Sequence, residues 1–216
     1  MSVYDISGNV VLFSDGSENT KPYLGKKWAV LGDSISMSHA SNLYHKLIAD
    51  KLGFTVQNLA TSGKGYSHIR DTQLPSIDED VALITIMCGT NDMTTDGSGN
   101  YTDTIDSGTF CGNVYDTILK IQEAFPHVPI GVITPVNRVD STQYKNWVIN
   151  VSKAIKGVCE QHSVPCFDLN ACSGVLGFTE ENIAYYYNDS GCHPNNNGHA
   201  LMAAKLEPFI KSLMPM

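Results

Sequence analysis

Four short stretches of the chain hold the residues with chemistry in them. Gly32-Asp33-Ser34 follows the apolar run Trp28–Leu31, and Gly63, with Lys64 and Gly65 behind it, closes the polar segment that begins at Asn58. Gly89-Thr90-Asn91-Asp92 follows the apolar run Val81–Met87, and Asp189-Ser190-Gly191-Cys192-His193-Pro194 precedes the last apolar-periodic stretch. Together they supply a hydroxyl, an imidazole, carboxylates, glycine N–H groups and a side-chain amide. A serine hydroxyl is a weak nucleophile until a base takes its proton, and the oxyanion of a tetrahedral intermediate needs N–H donors aimed at it. This is the set that acyl transfer requires. Each residue also has a plainer reading. Ser34 suits a helix N-cap, Asn91 a turn, Gly63 and Gly65 a tight backbone bend, and His193-Pro194 a loop before a helix.

The elements between these stretches decide whether they can meet. Apolar spacing over residues 36–52 predicts a helix that Gly53 stops. Residues 54–59 read as a strand, and Val81–Met87 reads as a strand buried on both faces. Helices are expected over 110–125, 144–158 and 199–213, with strands at 130–133 and 164–169. Strands and helices in alternation predict an α/β fold with a parallel sheet between helical layers. Ligands of such sheets sit at the carboxyl ends of the strands, which is where the four stretches fall. Residues 1–25 have a different rhythm. Val3–Ile6 and Val10–Phe13 flank Ser7-Gly8-Asn9, a hairpin signal, so this part reads as a short β extension packed on one domain of residues 26–216.

The four stretches, in this order, resemble the SGNH hydrolases, the GDSL lipase/esterase family. Gly32-Asp33-Ser34 matches the nucleophile block, with Ile35 where Leu is usual; Gly63 matches the glycine block, Gly89-x-Asn91-Asp92 the G-x-N-D block and His193-Pro194 the last. The resemblance spans about residues 27–213. It implies a three-layer α/β/α, flavodoxin-like sheet, Ser34 as nucleophile, His193 as general base, and an oxyanion hole made by Ser34, Gly63 and Asn91. One position departs from the pattern. The aspartate that orients the histidine usually stands three residues before it, where this chain has Ser190. Asp189, four before, is the expected substitute; a backbone carbonyl and Asp168 are the other options. No metal or organic cofactor is implied.

Other residues are secondary candidates. Asp33, Tyr66, His68 and Arg138 are expected to touch substrate, and residues 134–138 to shape the pocket. The polar segment 93–109 reads as a wall or lid beside it. Its Asp, Thr, Asn and Gly spacing faintly imitates a calcium loop, but a strand precedes it and Asp ends it, so no metal is expected there. His199 reads as structural or as a surface residue. The six cysteines form no C-x-x-C pair and read as mostly free and buried, with Cys172–Cys192 the pair to consider for a bridge.

Composition removes other classes. The chain has 216 residues, 42% of them hydrophobic, and a net charge of −8. The acidic balance argues against nonspecific binding to nucleic acid or anionic membranes, and no apolar run reaches the ~20 residues of a membrane span. The start of the chain does not read as a signal peptide, which fits a cytoplasmic protein or an exported one whose signal is not part of this sequence. The expectation is a serine esterase for short acyl groups, such as O-acetyl groups on carbohydrates, with a small-molecule or glycan ester as substrate. The alternatives are longer-chain lipase, lysophospholipase or thioesterase activity, a carbohydrate-binding module with a degenerate site, and a phosphate binder using Ser34, Ser36 and Ser38.

Overall fold

The central strands are nearly solid with apolar side chains because helices cover both of their faces. A computed structural model describes residues 3–4, 10–11, 21–37, 40–92 and 109–214. The strands β1 (Val3–Tyr4) and β2 (Val10–Val11) pair antiparallel, and nothing else of residues 1–20 is described. The main sheet holds β3 (Lys27–Gly32), β4 (Thr55–Asn58), β5 (Val81–Met87), β6 (Ile130–Ile133) and β7 (Cys166–Phe167). All its pairs are parallel, in the order β4-β3-β5-β6-β7. This is the flavodoxin-like winding, with its switch point between β3 and β5.

The helices are α1 (Ser34–Met37), α2 (Tyr44–Leu52), α3 (Tyr66–His68), α4 (Phe110–Ala124), α5 (Thr142–Gln161), α6 (Leu169–Cys172), α7 (Glu180–Tyr186) and α8 (Asn196–Leu213). Alternation along the strands divides the core. Ala29, Leu31, Ile84 and Ile86 pack with Val114 and Ile118 of α4 and with Val151 and Ile155 of α5. Trp28, Val30, Leu83 and Met87 pack with Ile48 of α2 and with Met202, Leu206 and Ile210 of α8. The three-layer expectation therefore holds. Within the second layer the Trp28 indole donates to Thr85 Oγ1 at 2.8 Å, so the one polar residue of β5 satisfies a buried N–H.

Several boundaries differ from the periodicity. The helix expected over 36–52 is two helices. Asn196 accepts from the Ser41 hydroxyl at 3.2 Å and from the Asn42 backbone N–H at 3.0 Å, which holds residues 41 and 42 out of helical register. Gly53 does stop α2, at φ 93° with its N–H on the Ala49 carbonyl. The helix α5 begins two residues early because Ser141 caps it, accepting from Tyr144 N–H at 3.1 Å. Asn195 likewise starts α8 before His199, which leaves His199 buried inside the helix and not on the surface. Beyond α3, Ile69–Gln73 forms a π turn and Leu74–Ser76 a 3-10 turn. The wall expected over 93–109 lies outside the described residues except for Thr109, which caps α4. None of the six cysteines forms a disulfide, so Cys172 and Cys192 are not bridged; Cys172 is exposed, not buried.

The irregular turn after α3 has a positional consequence. It points Gln73, 2% exposed, at the end of β3. The Gly32 N–H donates to Gln73 Oε1 at 3.0 Å, and Gln73 Nε2 donates to the Gly32 carbonyl at 2.9 Å. That carbonyl also accepts from Thr61 N–H at 3.0 Å. A Cβ at Gly32 would run into the Met87 carbonyl, so β3 ends in a backbone position with no tolerance. Gln73→Leu strands the buried Gly32 N–H, and we expect it to lower stability by about 1–3 kcal/mol. Gln73→Glu keeps the acceptor but loses the donor and buries a charge, and is expected to be worse. Denaturant unfolding of the two variants measures both.

Candidate active site

Ser34 opens α1 directly beyond β3, at the switch point, and is 4% exposed. Four contacts fix the turn that carries it. Asp33 Oδ1 accepts from Ile35 N–H at 3.0 Å. The Ser36 hydroxyl is 3.0 Å from the Tyr44 hydroxyl. The Ser36 carbonyl accepts from Asn58 Nδ2 at 2.9 Å and meets His45 Nε2 at 2.9 Å. Burial pushes the His45 pKa down to about 4; the imidazole is neutral at ordinary pH, and a carbonyl partner assigns its proton to Nε2. Ser34 thus sits on a helical turn tied from α2 and β4.

The Ser34 hydroxyl lies 3.1 Å from His193 Nε2, and His193 Nδ1 lies 2.5 Å from Asp189 Oδ2. The one-residue shift of the aspartate is absorbed by the loop, which is not the helical turn that a spacing of four residues suggests. Asp189 Oδ1 accepts from the backbone N–H of Gly191, Cys192 and His193 at 3.0, 2.7 and 3.1 Å. The chain curls around one carboxylate oxygen and presents the other to the imidazole. Gly191, at φ 119° with Val139 against the place a Cβ would fill, allows the curl. Partial burial of Asp189 pulls its pKa upward, but the His193 contact and the backbone N–H groups outweigh it and leave about 2. It is an anion throughout the neutral range. Asp168, the other aspartate considered, is paired with Lys156, accepts from Thr134 and caps α6.

The second and third blocks are joined across the site. Asn91 Nδ2 donates to the Lys64 carbonyl at 3.1 Å. Asp92 Oδ1 accepts from Tyr66 N–H at 2.9 Å, and a Cβ at Gly65 would collide with that carboxylate. Gly63 is exposed, stands at φ 72° and has open space where a Cβ would be. Its glycine therefore answers to backbone conformation, not to crowding. Asp33, buried, and Asp92, half-buried, form an acidic background. Burial raises each pKa to about 6, against the pull of the Ile35 N–H and Thr90 on Asp33 and of the Tyr66 N–H on Asp92; Asp33 also raises Asp92.

The secondary candidates fare differently. Asp33 is 1% exposed and Tyr66 is fully buried; Asp33 braces α1, and Tyr66 packs edge-on against Phe110 with centroids 5.9 Å apart. Neither surface is open to a substrate. Arg138 pairs through two nitrogens with Asp140 and lies 4.0 Å over the Tyr144 ring. Its segment is held to the histidine loop by Val139 N–H on the Gly191 carbonyl at 2.9 Å. His68 is partly exposed in α3. Gln73, Tyr44, His45 and Asn58, which hold the Ser34 turn, were not among the sequence candidates.

A hydroxyl bonded to an imidazole, whose far nitrogen faces a carboxylate, can lose its proton to the ring as it attacks a carbonyl. Residues 30–201 match the GDSL-like lipase/acylhydrolase family. No curated protein matches the chain in sequence. Among solved structures, a protein from Lactobacillus plantarum is 27% identical, with a TM-score of 0.74 over 87% of this chain and 97% of that one. A lipase/acylhydrolase from Enterococcus faecalis is 19% identical, with a TM-score of 0.65 over 87% and 96%. An acetylxylan esterase from Geobacillus stearothermophilus is 18% identical, with a TM-score of 0.60 over 91% and 98%. The last two share the fold. The strand order, the four blocks at one sheet edge and the match over 30–201 place this chain in the GDSL-like lipase/acylhydrolase family, whose members hydrolyse ester bonds.

Proposed function

We propose that the protein is a serine esterase that works through an acyl-enzyme and takes short acyl esters, foremost acetyl groups on carbohydrate hydroxyls. The observation that carries the reading is the unbroken line from Asp189 through His193 to the Ser34 hydroxyl. In this reading His193 takes the Ser34 proton as Ser34 attacks the ester carbonyl. Backbone N–H groups of Ser34 and Gly63 and the Asn91 amide receive the developing oxyanion, each such donor worth on the order of 10²–10³ in rate. His193 then protonates the leaving alcohol, and water repeats the sequence on the acyl-serine. Asp189 holds the Nδ1–H tautomer and stabilises the imidazolium.

The acetyl-carbohydrate part rests on the surroundings. A cleft of about 420 Å³ is lined by Ala40, Ser41, Asn188, Asn195, Asn196 and Asn197. It starts at residues that bracket His193, and Asn188 N–H bonds the His193 carbonyl at 2.8 Å. Amides and a hydroxyl suit a hydroxyl-rich alcohol better than an acyl chain. The acetylxylan esterase among the structural neighbours agrees with this choice. A second reading, longer acyl chains, draws on Met37, which is 47% exposed and accepts from Ser62 N–H at 3.2 Å beside Gly63.

Hydrolysis of p-nitrophenyl acetate is expected to exceed that of the octanoate in kcat/KM, and Ser34→Ala to abolish both. An octanoate optimum selects the second reading; no turnover on either ester or on acetylated xylo-oligosaccharides removes the esterase reading for this chain. Asp189→Asn is expected to lower kcat by roughly 10²–10⁴ with little change in KM, because an amide no longer selects the tautomer. Steady-state kinetics on the acetate ester measures it, and a near-normal kcat assigns the orienting role elsewhere.

A further inference from the structure

The histidine loop contains a thiol that the hydrolysis does not use. We propose that Asp189, Cys192 and His193 form a binding site for a soft divalent cation of the zinc group, and that filling it switches the esterase off. The inhibitory half rests on the esterase reading above; the binding half does not. One ligand atom from each residue lies within 4.8 Å of the others. A tetrahedral zinc site with Zn–S near 2.3 Å and Zn–N near 2.0 Å needs donors about 3.3–3.8 Å apart. Two donors already exceed that closeness, with His193 Nδ1 and Asp189 Oδ2 at 2.5 Å; a cation entering between them spreads this pair, and rotation of the Cys192 side chain brings in the third.

The loop is preformed for this. The three backbone N–H groups on Asp189 Oδ1 fix the positions of Cys192 and His193 relative to the carboxylate, so little backbone ordering is left for binding. Cys192 is a free thiol and only partly buried. The neighbouring Arg138 cation is matched by Asp140, so it leaves no uncompensated positive charge facing the site. A thiolate with an imidazole and one carboxylate selects zinc or cadmium over magnesium or calcium, which prefer all-oxygen sites.

Binding moves two protons and no electrons. The Cys192 S–H bond breaks and its proton goes to solvent as the metal–sulfur bond forms. The proton on His193 Nδ1 is displaced by the metal and comes to rest on Nε2. The imidazole then donates toward Ser34 and cannot accept its proton, so kcat falls while KM for the ester stays unchanged.

Cys172 is the exposed thiol among the described residues, so the test is run in a Cys172→Ser background. Cd²⁺ alone is titrated while the thiolate-to-metal ultraviolet absorption is followed, and Zn²⁺ is titrated against p-nitrophenyl acetate turnover, with EDTA reversal. We expect one absorbing site per chain, reversible loss of kcat, and no effect of Mg²⁺. Adding Cys192→Ser, which leaves metal-free turnover intact, removes the absorption and raises the inhibitory Zn²⁺ concentration at least about tenfold. No thiolate absorption, or the same absorption and Zn²⁺ sensitivity without Cys192, overturns the site. Absorption with undiminished turnover overturns the switch. Absence of turnover before any metal is added counts against the esterase reading, and the cadmium titration still decides the site.

Discussion

The two oxygens of one carboxylate divide the work on which the rest depends. Asp189 Oδ1 collects three backbone N–H groups and so determines the path of the chain from Ser190 to His193. Asp189 Oδ2 faces the imidazole. A carboxylate accepting several N–H bonds is held in its charged form, and its pKa of about 2 means that loop and imidazole keep their shared anchor down to strongly acidic pH. The opposite wall is held just as firmly by different means, through the Gly32–Gln73 clamp and the ties from Ser36 to Tyr44, His45 and Asn58. The 3.1 Å between Ser34 and His193 is therefore the gap between two independently braced walls.

Bracing with buried polar groups makes folding sensitive to protons, in two opposing directions. Asp33 and Asp92, raised from 3.8 to about 6, hold protons more tightly in the folded protein than in the unfolded chain. Their contribution is present below pH 3.8 and is lost as pH rises toward 6. His45 and His199, lowered by burial from 6.5 to about 4, hold protons less tightly when folded. Their contribution is present above pH 6.5 and is lost as pH falls toward 4. Between about pH 4 and 6 two groups take up protons on folding and two give them up, so the slopes oppose each other. The buried imidazoles thus flatten the stability profile that Asp33 and Asp92 alone would give.

Most of the architecture could be read from periodicity, because it follows from burial. Val81–Met87 and Ile130–Ile133 are apolar at nearly every position, and both are strands over those residues. What escaped reading depended on side chains reaching across the fold. The break just before α2 comes from Asn196, 154 residues away from the Asn42 it holds. Gln73 ends the polar run Arg70–Gln73 between Ile69 and Leu74, and only the π turn reveals that it faces Gly32. Tyr66 follows the glycine block and so looked available to a pocket, but its backbone is held by Asp92 and by the Thr117 hydroxyl on its carbonyl at 3.2 Å, which turns the ring into the core. At the candidate site the residue types were legible as four motifs, whereas the bracing behind them follows no local spacing.

The shifted aspartate shows why spacing alone misleads in one direction. A helix would bring residues four apart onto one face, yet residues 188–193 are not helical. The aspartate reaches the imidazole because it nucleates its own turn, an Asx-type arrangement in which a short carboxylate replaces backbone partners. Such a turn tolerates a change of one residue in length provided a glycine absorbs the backbone angle, and Gly191 at φ 119° does so. The same turn carries the residue just before the histidine beside the carboxylate, so whichever side chain stands there becomes a neighbour of the Asp189–His193 pair. In this chain it is Cys192, and the chemistry of that loop is consequently open to agents that bind sulfur as well as to protons.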